Sequence, residues 1–342
     1  MSKGVAVSSS TSEPRRVARA YRWIIAVAVL LVLALTGFWF YAAHELDRLV
    51  SRQIAEAEAR GVSITCSGQD VTGYPFRIGL VCDDVGISNP AEGLTVEGGA
   101  FRSAAQIYQP NRVVSELDAP VRIEMAGGPV IDLGWSLAQA STSFWTEGLD
   151  RFSLHTDAPT TTIDGTPVYS ASDGELHARR RDGDLDISGR QTGARVELAA
   201  ASAVPAFDLS TDLTIAGAAD WLSGRAAGQT PLDLFAGRSG TLRSLALTFE
   251  GEPSGAELSG DFSFTDTGLL NGDFELALTS PERLAAIVGE AVPQAASIAQ
   301  TVASVVPFVG RTENGRTVLR INADNGRLSA GVLPLGQIPP LQ

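Results

Sequence analysis

From Val62 to the C-terminus, apolar and polar residues alternate in short runs. Examples are Val121-Arg122-Ile123-Glu124-Met125, Leu185-Asp186-Ile187-Ser188, Leu245-Ala246-Leu247-Thr248-Phe249 and Phe274-Glu275-Leu276-Ala277-Leu278. A period of two places every second side chain on one face, so each run predicts a strand with one buried side. Clusters of Gly, Asp, Asn and Pro separate the runs, which is the pattern of antiparallel hairpins. The expected fold is mainly β: a large curved antiparallel sheet with a few packed helices, preceded by one transmembrane helix.

The start of the chain has a different period. Trp23 to Tyr41 carries no charge over nineteen residues, and at about 1.5 Å per residue this run covers about 28 Å, enough to cross the hydrocarbon of a bilayer. Trp23 stands at one border, Trp39 and Tyr41 at the other, and Lys3, Arg15, Arg16, Arg19 and Arg22 precede the run. Cations on that side place the N-terminus in the cytoplasm and the body in the periplasm, anchored in the inner membrane through residues 23–41. A cleaved signal peptide is the competing reading, but its apolar core would be shorter, and Phe40-Tyr41-Ala42-Ala43 is a poor cleavage site. Arg15-Arg16 invites a twin-arginine reading that Val17-Ala18-Arg19 does not continue.

Residues 1–22 are expected as a disordered cytoplasmic tail and 42–61 as a helical connector with Leu46, Leu49, Val50 and Ile54 on one stripe, stopped by Gly61. Residues 62–342 are expected as one β-rich periplasmic domain. Ser280-Pro281-Glu282 reads as a helix start, with Ser280 as cap and Pro281 at the first position. The apolar stretch Leu284 to Val309 is interrupted by Glu290, Gln294 and Gln300, and Pro293 and Pro307 would break it, so 281–309 is expected as a helical insert packed on the sheet rather than a second span. Asp212 to Leu222 and Asp273 to Leu284 share a weak strand-then-helix similarity, for which chance and true repetition are equal readings.

Composition narrows the class. With 44% hydrophobic and 19% charged residues, the body can fill a core and is not a disordered chain. The net charge of −13 opposes phosphate backbones and anionic headgroups, so nucleic acid is not an expected partner. The two cysteines, Cys66 and Cys82, lie symmetrically about Tyr74. Strands ending at Thr72 and beginning at Phe76 would flank a three-residue loop, Gly73-Tyr74-Pro75, and set the cysteines face to face. A disulfide is expected in an oxidising compartment, the alternative being two buried thiols.

The search for chemistry returns little. His44, His155 and His177 have no metal-ligand spacing. Gly237-Arg238-Ser239-Gly240 is a turn and not a nucleophile elbow, and no phosphate-binding glycine loop occurs. Asp83-Asp84 and Asp182-Gly183-Asp184 read as turn chemistry before they read as calcium or hydrolytic carboxylates. No catalytic residue, metal ligand or cofactor is expected, and the protein is expected not to be an enzyme.

The most distinctive segment is Gly73-Tyr74-Pro75-Phe76-Arg77 between the two cysteines. Gly73 permits a positive φ, Pro75 fixes its own, Tyr74 and Phe76 can cap a sheet edge, and Arg77 is free to pair with Asp70 or another carboxylate or to hold an anion. This core, shortly after a membrane span, resembles the alphaproteobacterial family known as domain of unknown function 2125. The close of the chain, Asn325-Gly326-Arg327-Leu328, Leu333-Pro334-Leu335-Gly336 and Ile338-Pro339-Pro340-Leu341, is similar to that family's ending. The resemblance covers about residues 20 to 342 and implies no established activity. The single span followed by long sheets also resembles the AsmA-like envelope proteins, whose curved sheets are associated with lipid transport and outer-membrane assembly. Three functions follow as expectations: an envelope protein sheltering lipid or another apolar ligand in its curved sheet, a scaffold docking an envelope protein partner, and a hydrolase with an unrecognised site.

Overall fold

The computed structural model describes residues 14–342 except 147, 198–203, 225, 227, 292–295 and 314. Helix α1 (Pro14–Ala59) runs unbroken through the apolar run and the connector. Gly61, at φ 86°, turns the chain after it. Within α1, Tyr21–Ala59 is the one stretch among the described residues long and apolar enough to cross a membrane.

The body is an antiparallel sheet of 23 strands. In chain order the first are β1 (Ser63–Ser67), β2 (Asp70–Thr72), β3 (Arg77–Cys82), β4 (Asp84–Asn89), β5 (Leu94–Gly98), β6 (Phe101–Gln106), β7 (Gln109–Leu117), β8 (Val121–Met125), β9 (Ile131–Gly134), β10 (Leu137–Trp145), β11 (Gly148–Asp157), β12 (Thr160–Ile163), β13 (Thr166–Ser170), β14 (Asp173–Arg181) and β15 (Asp184–Val196). Then follow β16 (Phe207–Ile215), a 3-10 turn (Ala219–Ser223), α2 (Pro231–Phe235), β17 (Ser239–Phe249), β18 (Gly255–Phe264), β19 (Leu270–Thr279), α3 (Pro281–Ala291), α4 (Ala296–Val309), β20 (Arg311–Glu313), β21 (Arg316–Asp324), β22 (Arg327–Ala330) and β23 (Leu333–Gln337).

The sheet is creased. Only Asp83 separates β3 from β4, only Gly99 and Ala100 separate β5 from β6, and joints of two or three residues link β7 to β8, β9 to β10, β11 to β12 and β13 to β14. Each pair is one long strand bent at its middle. Backbone hydrogen bonds continue through the bend, as from Asp83 N to Ser67 O (2.7 Å), Asp118 N to Ala100 O (2.9 Å) and Ala158 N to Ser172 O (2.8 Å). The bend divides the sheet into a short wing, ordered β1, β4, β5, β8, β9, β12, β13, and a long wing, ordered β2, β3, β6, β7, β10, β11, β14 and onward through β19 to β21. Strand β15 pairs with both β13 and β14 and so closes the crease.

Two apolar clusters hold the body. Leu284, Ile287 and Val306 of α3 and α4 pack on Leu278, Leu319, Ala330 and Leu335 of the long wing. Leu185, Ile215 and Ala218 pack with Trp221, Leu222 and Phe235 of the 3-10 turn and α2. Trp39, Ala43 and Ala57 of α1 are buried, and the helix runs against β1, β2 and β3.

Several local expectations need correction. The cysteines do form a disulfide, but not across a three-residue hairpin. Six residues, Gly73 to Ile78, lie between the last paired positions of β2 and β3, so that Thr72 faces Gly79. Cys66 stands opposite Val85 in the short wing and Cys82 opposite Phe101 in the long wing. The bridge therefore spans the crease. Ser280 has φ 51° and its hydroxyl donates to Pro253 O (2.8 Å). Pro307 does not break α4, which runs through it to Val309; Pro293 and Gln294 lie outside the described residues. The strand-then-helix similarity is not a translational repeat. Three antiparallel pairings separate β16 from β19, so the helical segments that follow these strands leave the sheet at opposite ends.

Candidate functional site

One face of each wing is apolar, and the two apolar faces form the inside of the bend. In the short wing, register aligns Ile87, Val96, Ile123, Ile131 and Ile163 in one row across five strands. The row nearer the crease holds Val85, Gly98, Val121 and Leu133. A methyl placed on Gly98 would meet Val85 and Val121 at 3.2 and 3.4 Å and Leu117 Cδ1 of the long wing at 3.5 Å. Side chains of both wings thus converge at that point, where glycine leaves room for them. The Cys66–Cys82 bridge joins the same faces, with Cα atoms 5.2 Å apart.

In the long wing a second ladder runs Ala140, Leu154, Leu176, Gly189, Thr211, Leu245, Leu258, Leu276, Leu319. Exposure along these faces describes a groove. At the crease, Cys82 is 1% and Val121 8% exposed, whereas Ile87 and Leu176, farther out, are 44% and 40% exposed. Leu319, under α3 and α4, is again fully buried. The apolar face is therefore closed at its vertex and at the α3–α4 end, and open in the middle. There Leu154, Leu176 and Leu209 stand around Gly174 and Gly189 and line a trough of about 310 Å³. Monomers seldom leave contiguous apolar surface open to water without use.

The outer face of the long wing is polar. Arg151, Arg179, Arg181, Asp186, Asp212 and Arg243 line a cleft of about 680 Å³. Asp186 is buried and lies 3.0 Å from Arg179 and 3.2 Å from Arg181, and it accepts from Thr214 Oγ1 at 2.6 Å. Burial alone would raise its carboxyl pKa, but the Thr214 hydroxyl and the two guanidiniums outweigh burial and hold it below the usual range. Asp212 is lowered chiefly by its hydrogen bond to Arg243.

His177 Nδ1 lies 2.9 Å from Ser153 Oγ, a pairing no spacing in the sequence suggested. Glu175 Oε2 stands 3.7 Å from His177 Nε2, beyond hydrogen-bond distance. His155 bonds Asp157 at 2.9 Å. Among the described residues no group of three or more His, Cys, Asp or Glu is placed to hold a metal ion. Asp83 and Asp182 sit at a crease joint and at the β14–β15 turn.

The Gly73-Tyr74-Pro75-Phe76-Arg77 segment is the turn that meets α1. Gly73 has φ 109°, a conformation glycine adopts without strain. Tyr74 shares a hydrogen bond of 2.9 Å with Thr36, and its ring meets Trp39 edge-on at 5.5 Å. Trp39 Nε1 donates to Arg77 O at 2.7 Å. Asp70 faces Val81 and accepts from the Val71 amide, leaving Arg77 with no carboxylate partner among the described residues. The model of one bacterial family spans this turn, both wings and the C-terminal strands, matching residues 39–339. The chain belongs to that family. It is described as an uncharacterized protein conserved in bacteria, DUF2125. No curated protein and no solved structure matches the chain. For this DUF2125 member the groove is the feature that sequence reading did not locate. Alternation identified which residues share a face, but not which strands would lie side by side.

Proposed function

We propose that this protein is a membrane-anchored, non-enzymatic envelope protein that shelters the hydrocarbon of a lipid in the creased sheet. In this reading α1 stays in the inner membrane, with its N-terminus in the cytoplasm and the body in the periplasm. The observation that carries the proposal is the exposure gradient along the long-wing ladder. One leucine row is buried beneath α3 and α4 and then runs uncovered past Leu245 and Leu176. Covering such a row with acyl chain removes apolar surface from water at about 25 cal/mol per Å², and an apolar trough with few polar groups suits a ligand without fixed hydrogen-bonding pattern. The disulfide across the crease supports the placement of the body in an oxidising compartment.

The test is native mass spectrometry with lipid extraction on the full-length protein, compared with Gly189→Phe. A Cβ at Gly189 would meet its nearest neighbours at 3.4 Å or more, ordinary van der Waals contact, so the backbone accepts a side chain here and the added ring takes up space at the trough. Lipid carried by the wild type and lost from the variant is the expected result. A wild-type protein that carries no lipid, or a variant that carries as much, would refute the groove and favour docking of an envelope partner.

A further inference from the structure

The turns that join the long-wing strands away from the crease form one edge of that wing. Counted from the α1 side they are Gly73 to Phe76 between β2 and β3, Ile107 and Tyr108 between β6 and β7, and the β10–β11 turn after Trp145; Asp182 and Gly183 between β14 and β15 continue the edge without an aromatic. Helix α1 sets the height of this edge. Tyr74 bonds Thr36, which lies inside the apolar run, and Gln69, farther up the same strand pair, donates to Asp47 of α1 at 2.7 Å. The strands thus climb away from the turn alongside the helix, and the turn is level with the last turns of the apolar run. The second turn lies beside the first, because the Ile107 amide donates to Phe76 O at 3.0 Å.

This edge has an unusual surface. Phe76, Tyr108 and Trp145 are 62%, 71% and 70% exposed, one aromatic at each of three successive turns. Just inside the edge stand Arg77, Arg112 and Arg151. Arg112 and Arg151 both face Ser143, on either side of β10. None of the three has a carboxylate partner among the described residues, whereas Arg102 on the neighbouring β6 is paired with Asp118; Arg190, Arg311, Arg320 and Arg327 elsewhere in the body are likewise without one. Arg151 stands directly opposite Arg179, whose charge is met by Asp186 at 3.0 Å, while Arg151 itself has no carboxylate beside it. Arginines without carboxylate partners behind a line of exposed aromatics match the chemistry of a phospholipid interface, against the overall negative charge of the chain. Amphipathic rings sit at headgroup level and guanidiniums bind phosphate bidentately.

We infer that this edge of the long wing rests on the bilayer surface, with Phe76, Tyr108 and Trp145 among the headgroups and Arg77, Arg112 and Arg151 on lipid phosphates. The long wing then stands on the membrane from which α1 emerges, and the groove opens beside the leaflet. The inference rests on α1 spanning the bilayer and does not depend on what the groove holds.

Neither cysteine is free, so a single introduced cysteine can carry a fluorophore in the full-length protein reconstituted into phosphatidylglycerol-containing vesicles. Labels at Leu30→Cys, Tyr108→Cys, Trp145→Cys and, as a remote control, Val332→Cys are tested against lipids bearing a nitroxide in the acyl chain or at the headgroup. The expected result is acyl-chain quenching at Leu30, headgroup quenching at Tyr108 and Trp145, and neither at Val332. Arg112→Glu with Arg151→Glu should weaken the edge contact by about fivefold for each arginine lost. If Leu30 is quenched but Tyr108 and Trp145 behave like Val332, the edge contact is overturned and the anchor stands. If Leu30 is not quenched, anchor and edge fall together. Edge quenching that the double variant leaves unchanged overturns the role of the arginines.

Discussion

Truncating two leucines of the same ladder separates a covered apolar face from an open one. Leu319 is 1% exposed and packs among Leu278, Leu284, Ile287 and Val306, so Leu319→Ala loses the transfer free energy of the side chain and leaves a cavity, costing about 3 kcal/mol. Leu176 sits on the same row, six pairings away, at 40% exposure. Leu176→Ala gives up only the covered part of the side chain and leaves no sealed void, so its cost is about 1 kcal/mol. With a urea slope of about 3 kcal/mol/M, the midpoints should fall by about 1 M and about 0.3 M respectively. The assay is urea unfolding of the lipid-free full-length protein, followed by far-UV circular dichroism. Equal losses in the two variants would refute the reasoning, because Leu176 would then be as enclosed in solution as Leu319 and no groove would be open at β14.

Three further outcomes follow from the geometry. Replacing both Cys66 and Cys82 by Ala opens a cross-link of sequence separation 16 and should cost about 3 kcal/mol on the chain-entropy account, measured by the same urea titration. Because the Asp186 carboxyl is held below its unfolded value, its contribution is complete above the unfolded pKa and is lost as pH falls through the folded one; Asp186→Asn should flatten the loss of thermal stability on acidification in that window. Trp39→Phe removes the indole N–H that donates to Arg77 O, and should speed tryptic cleavage after Arg77 relative to the wild type.

The alternation of Val121 to Met125 and of Phe274 to Leu278 is enough to assign strands and to say which residues share a face, because a strand's side-chain period is a local property. The apolar run from Trp23 to Tyr41 likewise requires one long helix, since its length and lack of charge do not depend on any partner. The two cysteines were legible as a pair from their spacing, but their register was not. Counting inward from a three-residue loop places them opposite one another in one hairpin, while the actual six-residue connection between Thr72 and Gly79 and the joint at Asp83 put them in different wings. Asp83, Gly99 and Pro120, which mark bends within long strands, look in sequence like Gly165 and Asp182, which mark true hairpin turns. A bend and a turn both need a short break in the pleat, and the same small or φ-restricted residues supply it. Whether the chain reverses there or continues into a second wing depends on which strands are already alongside to receive its backbone hydrogen bonds. That choice is non-local, so the apolar faces were decided by the sequence and the groove between them by the tertiary fold.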